Sequence, residues 1–458
     1  TWNHPNMPWD SSELWVVHFE AMSRPGIRER IAGGEGVSVT LPRWSPEGKL
    51  AYVDDRSGYW NLYSYDKGEE QTLCARENDF ASPAWTFGQS HYDFLSEERL
   101  AVSWLDAGRW RIGSLEGGEL TPWELPFNDV QGLCVQGEHV LCTAATPTAL
   151  PAVVRIHAES HEVEVLRSSS QLDLPAELFS APEAIEFATT LDDEETTAHA
   201  LYYAPHNPAC SVPSGERPPL LVLSHGGPTS MAKASLNLGI QYWTTRGFAV
   251  VDVNYGGSSG YGREYRGRLE GRWGVVDVED CVRAARHLVD RELADPERLA
   301  IRGGSAGGYT TLSALTFRDE FKAGASHFGV SDLEALARDT HKFESRYLHG
   351  LVGPWPAEDK LYRARSPIHH SERLSCPVIL FQGLEDKVVP PSQAERMVKA
   401  LQSKGIPVAY VAFEGEQHGF RRAESIRAVL EGELYFYGRV FGFQPAGEPE
   451  AVLIENLE

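Results

Sequence analysis

A chain of 458 residues is longer than one hydrophobic core usually serves, so two domains of roughly 100–200 residues each are expected. Asp and Glu outnumber Lys and Arg 65 to 42, and the resulting net charge of −23 repels phosphate backbones and anionic lipid, which excludes nucleic acid and membrane surfaces as partners. No uninterrupted apolar stretch reaches the ~20 residues that span a bilayer, and the apolar share of 42% is ordinary globular usage.

The six cysteines (Cys74, Cys134, Cys142, Cys210, Cys281 and Cys376) show no CxxC pair and no zinc-ligand spacing. They are expected to be buried thiols in a cytoplasmic protein that uses no metal and no cofactor. The chain opens at Thr1 without a secretory signal, so its start is expected to have been processed, trimmed or separated from an earlier segment.

In chain order, the first feature is an approximate repeat. Leu41-Pro42-Arg43-Trp44-Ser45 recurs as Ser82-Pro83-Ala84-Trp85-Thr86, an offset of 41 positions, which is a propeller-blade period. Leu14–Val17, Leu62–Tyr65, Trp110–Leu115 and Val153–Ile156 read as strands that end successive blades, each followed by acidic and glycine turns. Four such ends describe about three and a half blades. A propeller buries its blade faces only around a closed ring, so residues 1–175 are expected to be the later part of a larger, incomplete β-propeller.

The pattern changes at about Ser168–Asp173, and residues 176–458 alternate short β runs with helical periodicity, the signature of an α/β-hydrolase type of mostly parallel sheet flanked by helices. Leu220–Ser224, Ala249–Asn254, Leu299–Arg302, Pro377–Phe381 and Val408–Phe413 read as buried strands. Val276–Val289 and Ser392–Ser403 read as helices, the first with acids early and Arg and His late, which suits the helix dipole.

Gly303-Gly304-Ser305-Ala306-Gly307 fits G-x-S-x-G, in which small neighbours permit the strained strand-to-helix turn that presents a serine hydroxyl. A strand over Arg298–Arg302 and a helix over Gly308–Phe317 supply the required setting. Gly256-Gly257-Ser258-Ser259-Gly260 matches the same pattern but runs into the polar, glycine-interrupted Tyr261–Gly271. Ser258 is therefore expected in a loop bordering the site or in a surface turn.

A serine hydroxyl needs a base, and the base needs an acid that fixes its tautomer. In this fold the chain order is Ser, acid, His, with both partners on loops after successive strands. Asp386 follows Pro377–Phe381, and His418 follows Val408–Phe413. Glu385 competes for the acid, and His225, His327, His369 and His370 for the base, but none of these histidines lies after the Asp strand. His225-Gly226-Gly227-Pro228, after Leu220–Ser224, is suited to an oxyanion loop, with the N–H of Ala306 as the second donor.

Taken together, Ser-His-Gly-Gly-Pro (224–228), Asn-Tyr-Gly-Gly-Ser-Ser-Gly-Tyr-Gly (254–262), Gly-Gly-Ser-Ala-Gly-Gly-Tyr (303–309), Gln-Gly-Leu-Glu-Asp (382–386) and Gly-Glu-Gln-His-Gly-Phe (415–420) resemble the prolyl oligopeptidase family of serine peptidases, in its acylaminoacyl-peptidase and dipeptidyl-aminopeptidase-like branch. The resemblance implies an N-terminal β-propeller that restricts substrates to short peptides. It implies Ser305, Asp386 and His418 as the triad, and Gly227 and Ala306 as the oxyanion hole.

By alignment of 327–336 with the family's S1 wall, it further implies an apolar substrate pocket of Val330, Leu333 and Leu336, with Val389 nearby. Several relatives carry an Arg or Asn two residues after the catalytic Asp to hold the P2 carbonyl, whereas this chain has Val388, which favours release of single N-terminal residues. The expected activity is an aminopeptidase or acylaminoacyl-peptidase. A carboxylesterase or amidase on small acyl substrates is the alternative enzyme, and a non-catalytic propeller binding module the alternative of another class. Small peptides are the expected partners, with a homo-oligomer or a missing N-terminal propeller segment as further candidates.

Overall fold

The computed structural model describes residues 1–20, 24–172 and 174–457, and the chain divides into two units. The first comprises Thr1–Leu174 with two later segments, Lys233–Leu236 and Ser258–Gly267; the second holds the remainder from Pro175 onward. Asp173, at the end of the stretch where the sequence pattern changes, lies outside the described residues.

The first unit is built of antiparallel sheets. Strands β1 (Glu13–Glu20) and β2 (Arg24–Gly33) form a two-stranded sheet. Three four-stranded sheets follow: β3 (Val39–Trp44), β4 (Leu50–Asp54), β5 (Asn61–Asp66) and β6 (Glu69–Cys74); then β7 (Tyr92–Phe94), β8 (Arg99–Asp106), β9 (Arg109–Glu116) and β10 (Glu119–Pro122); then β11 (Asp129–Gln136), β12 (His139–Ala145), β13 (Ala152–His157) and β14 (Val163–Ser168). Each sheet meanders in chain order, which is the build of a propeller blade.

Two sequence expectations are corrected here. The strands read as blade ends are, in the three complete sheets, the third of four; the fourth strands β6, β10 and β14 are mostly exposed, and β6 and β10 are too polar to show an apolar alternation. The 41-residue offset is also not the register between the sheets that prompted it. Trp44 pairs with Leu50 and Phe94 with Leu100, so the equivalent of Trp44 is Phe94, 50 positions on. Trp85 lies ahead of β7 and packs its ring 4.5 Å from Trp9.

The decoy serine belongs to this unit. Ser258 is completely buried, not on a surface turn, and a six-residue helix (Gly262–Gly267) follows it. That helix contributes Arg263 and Arg266, both of which pair with the buried carboxylate of Asp55. The thiols also depart from expectation. Cys74, Cys142 and Cys281 are buried, but Cys134 faces outward from β11 and Cys210 sits in an exposed loop.

The second unit is an eight-stranded sheet in the order β15 (Glu183–Leu191), β16 (Glu194–Tyr203), β18 (Ala249–Asn254), β17 (Leu220–Ser224), β19 (Leu299–Gly304), β20 (Ala323–His327), β21 (Val378–Gly383) and β22 (Val408–Phe413). From β18 to β22 every pairing is parallel, and β17, β18 and β21 are near-continuous apolar runs, as burial on both faces demands. The hairpin β15–β16 adds an antiparallel edge, and β15 alternates buried Ile185, Phe187 and Thr189 with exposed neighbours. Long helices over Val276–Asp290, Ala306–Phe317, Ser392–Lys404 and Ala423–Phe441 flank the sheet. None of the described helices is long and apolar enough to cross a membrane.

The Val276–Asp290 helix presents two buried aspartates toward the core. Thr310 and the Gly274 N–H donate to Asp277 at 2.5 and 2.6 Å, yet burial still pushes its carboxyl up to about 6. An acid whose pKa is higher in the folded chain than in the unfolded one, about 3.9, holds its proton more tightly when folded, so its contribution to stability declines as pH rises from about 4 to about 6. Two pH units correspond to about 3 kcal/mol as an upper figure. Asp277→Asn is accordingly expected to exceed wild type by about 1–3 kcal/mol in urea denaturation at pH 7.5 and to converge with it at pH 4. Thr310 can then donate to the Ala306 carbonyl, 3.2 Å away, while accepting from the amide. An equal difference at both pH values would remove ionisation as the cause.

Candidate active site

The turn between β19 and the Ala306–Phe317 helix places Ser305 at φ +58° and ψ −118°, a conformation that costs of order 1–3 kcal/mol for a residue with a Cβ. Its neighbours make room for it. A Cβ on Gly307 would stand 2.0 Å from the Ser224 carbonyl oxygen, and one on Gly303 2.3 Å from that of Gly307, so only glycine fits at either place. The Ser305 N–H donates to the His327 carbonyl at 3.0 Å, tying the turn to the adjacent strand.

His418 lies on the loop after β22, with Nε2 2.9 Å from Ser305 Oγ and Nδ1 2.7 Å from Asp386 Oδ2. A carboxylate only accepts, so Nδ1 carries the ring proton and Nε2 is left to accept from the serine hydroxyl. The other oxygen of Asp386 accepts the N–H groups of Val388 and Val389 at 2.8 and 2.9 Å, which fixes the carboxylate plane. Phe328 packs edge-on to the imidazole at 4.8 Å. Buried Glu416 accepts the N–H groups of Arg421 and Arg422, closing the loop that carries His418.

The competing residues are engaged elsewhere. Glu385 is exposed, whereas Asp386 is buried. His327 binds Glu433, and His369 and His370 lie near Glu334 and Glu372. His225 is buried, which lowers its pKa to about 4, and its ring stacks on Tyr255 at 4.2 Å. The Tyr255 hydroxyl reaches the carbonyls of His225 and Pro228 at 3.1 and 3.0 Å and so holds the 225–228 loop in shape.

Gly227 and Ala306 both line a narrow pocket beside Ser305. As the first residue of its helix, Ala306 has an N–H with no intrahelical acceptor, and Gly227 adopts φ +123°, open to glycine alone. Val330, Leu336 and Val389 line the same pocket, together with Val388. Leu333 does not: it is fully buried as the first residue of a short helix (Leu333–Asp339) capped by Asp332. Sequence reading missed Trp273, Glu344, Tyr347, Leu348 and Leu351, which complete the wall from segments without a motif.

Asp332, Glu334 and His369 bring ligand atoms within 4.8 Å of one another. Their charge is already met, since Arg396 pairs with Asp332 at 2.9 Å and Arg363 with Glu334 at 3.1 Å. A strained serine beside an imidazole oriented by a carboxylate has the parts needed to form and hydrolyse an acyl-enzyme.

Comparison with known proteins gives concordant results. The model of the prolyl oligopeptidase family matches residues 234–444. A puromycin-hydrolyzing peptidase of Mycobacterium tuberculosis is 43% identical with a TM-score of 0.95, over 99% of this chain and 69% of that one. The crystal structure of a puromycin hydrolase is 39% identical with a TM-score of 0.93 and the same coverages of 99% and 69%. Dipeptidyl aminopeptidase BIII of Pseudoxanthomonas mexicana is 34% identical over 225 residues, which is 47% of this chain and 33% of the relative. The match thus spans about a third of that curated relative's length.

Proposed function

Since the chain belongs to the prolyl oligopeptidase family, we propose that it is a serine peptidase that releases N-terminal residues from short peptides through an acyl-enzyme on Ser305. The observation that carries this reading is the Ser305–His418–Asp386 chain of 2.9 and 2.7 Å contacts on a strained strand-to-helix turn.

In this reading Ser305 Oγ attacks the scissile carbonyl while His418 Nε2 takes its proton, and the tetrahedral oxyanion accepts from the N–H groups of Gly227 and Ala306. His418 then protonates the departing amine. Water, deprotonated by the same imidazole, releases the acyl group and restores the serine. The apolar pocket takes the side chain of the residue that donates the carbonyl. Val388 offers no polar side chain to a second residue, which supports single-residue release.

Short peptides as the substrate class follow from the family, and the names of similar proteins add aminoacyl amides such as puromycin. Six free thiols support a cytoplasmic setting. The two-stranded β1–β2 sheet and the 69% coverage of related structures support a parent protein with further propeller strands.

The test is a panel of anilides, free aminoacyl, N-acetyl-aminoacyl and dipeptidyl, with puromycin and a simple p-nitrophenyl ester. Cleavage of aminoacyl substrates above the dipeptidyl one is expected. A dipeptidyl preference would overturn single-residue release, and cleavage of the ester alone would replace the peptidase with an esterase.

A further inference from the structure

The wall of the pocket beside Ser305 is largely aliphatic and aromatic and carries one charge. Val330, Leu336, Leu348, Leu351 and Val389 surround it, and Glu344 is the single charged residue among the described lining residues. The triad has its own acid in Asp386, so Glu344 is not needed to orient His418.

Its surroundings do little for its charge. Burial pushes the carboxyl up, against the opposing influence of His341, Thr340 and His418. Among the described residues its ion-pair partner is His341, 3.6 Å away on a side chain that is 44% exposed, where solvent screens the interaction. The Thr340 hydroxyl donates at 3.4 Å, a long hydrogen bond. A half-buried carboxylate so weakly compensated is costly unless something arrives to meet it.

Glu344 and Ser305 line the same narrow pocket, which places the carboxylate beside the reacting centre. A cation bound to it would be carried by the acyl portion of the substrate. In a free aminoacyl substrate the ammonium sits on the carbon next to the scissile carbonyl; in a basic residue it sits at the end of the side chain. Both present the same chemistry to the pocket.

We propose that Glu344 receives an ammonium group borne by the residue whose carbonyl Ser305 attacks, and so selects cationic acyl groups. This rests on the peptidase reading above and narrows it to free-amine or basic-residue substrates. Glu344 is thereby a specificity residue and takes no part in the proton transfers.

The test compares kcat/KM for leucyl, N-acetyl-leucyl and N-acetyl-lysyl anilides in wild type and Glu344→Gln, each normalised to active sites titrated with a serine-directed phosphonate. Wild type is expected to favour a cationic substrate over N-acetyl-leucyl anilide by about ten- to a hundredfold, the range for a hydrogen bond to a charged group. Preference for leucyl anilide assigns the α-amine, and preference for N-acetyl-lysyl anilide the side chain.

In Glu344→Gln that ratio should fall toward one, a change that general loss of structure does not produce because it cancels between substrates. Glu344→Asp, which keeps the charge but withdraws it by one methylene, should give an intermediate ratio and serves if the glutamine variant does not fold. An unchanged ratio in the variants, or no cationic preference in wild type, overturns the proposal. Wild type that neither cuts any of the three nor takes up the phosphonate sinks the peptidase reading itself, which is a different result.

Discussion

Replacing Ser305 with alanine is expected to lower kcat on any cleaved anilide by at least about 10⁴-fold while leaving the fold unchanged. The geometry gives both halves of that expectation. Ser305 Oγ is the atom 2.9 Å from His418 Nε2, and without it the imidazole can only activate water, which the pocket was not built to position. The backbone strain at φ +58° is the same for alanine, because both residues carry a Cβ, so stability should shift little. Ser305→Gly, by contrast, relieves that strain and should raise stability by about 1 kcal/mol while being as inactive. Asp386→Asn should cost about as much in rate as the serine change, since an amide donating to Nδ1 would select the wrong tautomer. Circular dichroism and phosphonate labelling complete the measurement. A folded Ser305→Ala protein that keeps wild-type turnover removes Ser305 as nucleophile, and a folded wild type that no phosphonate labels favours the non-catalytic binding module.

Most of the second unit was legible in sequence because its central strands are buried on both faces and its motifs sit at strand ends. Leu220–Ser224, Ala249–Asn254 and Val408–Phe413 stand where the apolar runs placed them. Strand β20, Ala-Gly-Ala-Ser-His, escaped detection because small residues carry no β propensity; it is small because the Ala306–Phe317 helix lies close against it, as Gly324 against Leu315 shows. The blade register was not legible, since a tryptophan in a loop and one in a strand look alike without their pairing partners. Ser305, His418 and Asp386 could be proposed together because chain order constrains them. The pocket wall could not, because Trp273, Glu344 and Tyr347 come from separate segments and are assembled only by the fold. Leu333 illustrates the converse: an alignment of positions cannot tell a helix's first buried residue from one that faces a pocket.

Removing Glu433 should be the most destabilising single side-chain truncation behind the site. It is completely buried in the Ala423–Phe441 helix, where one carboxylate oxygen contacts His327 Nε2 and the other lies 3.2 Å from Arg302 Nη1. Burial and the Arg302 charge together lower the His327 pKa, so the ring is neutral and donates from Nε2, and Glu433 is the counter-charge for Arg302. Glu433→Ala leaves a poorly solvated guanidinium and an imidazole N–H without their acceptor, a class of change that costs about 3–5 kcal/mol. Glu433→Gln keeps an acceptor for His327 but turns a neutral amide toward Arg302, and should cost less. The double variant Glu433→Ala with Arg302→Met should recover part of the loss, because it removes the stranded charge along with its partner. The consequence for the site is direct, since the Ser305 N–H is held by the carbonyl of His327. Urea denaturation of the four proteins, with activity followed at a temperature where all remain folded, tests this. A Glu433→Ala midpoint equal to wild type, or a double variant no better than the single one, would show that the cluster is not the electrostatic unit described; a loss of turnover in the folded single variant would show that its register reaches the nucleophile.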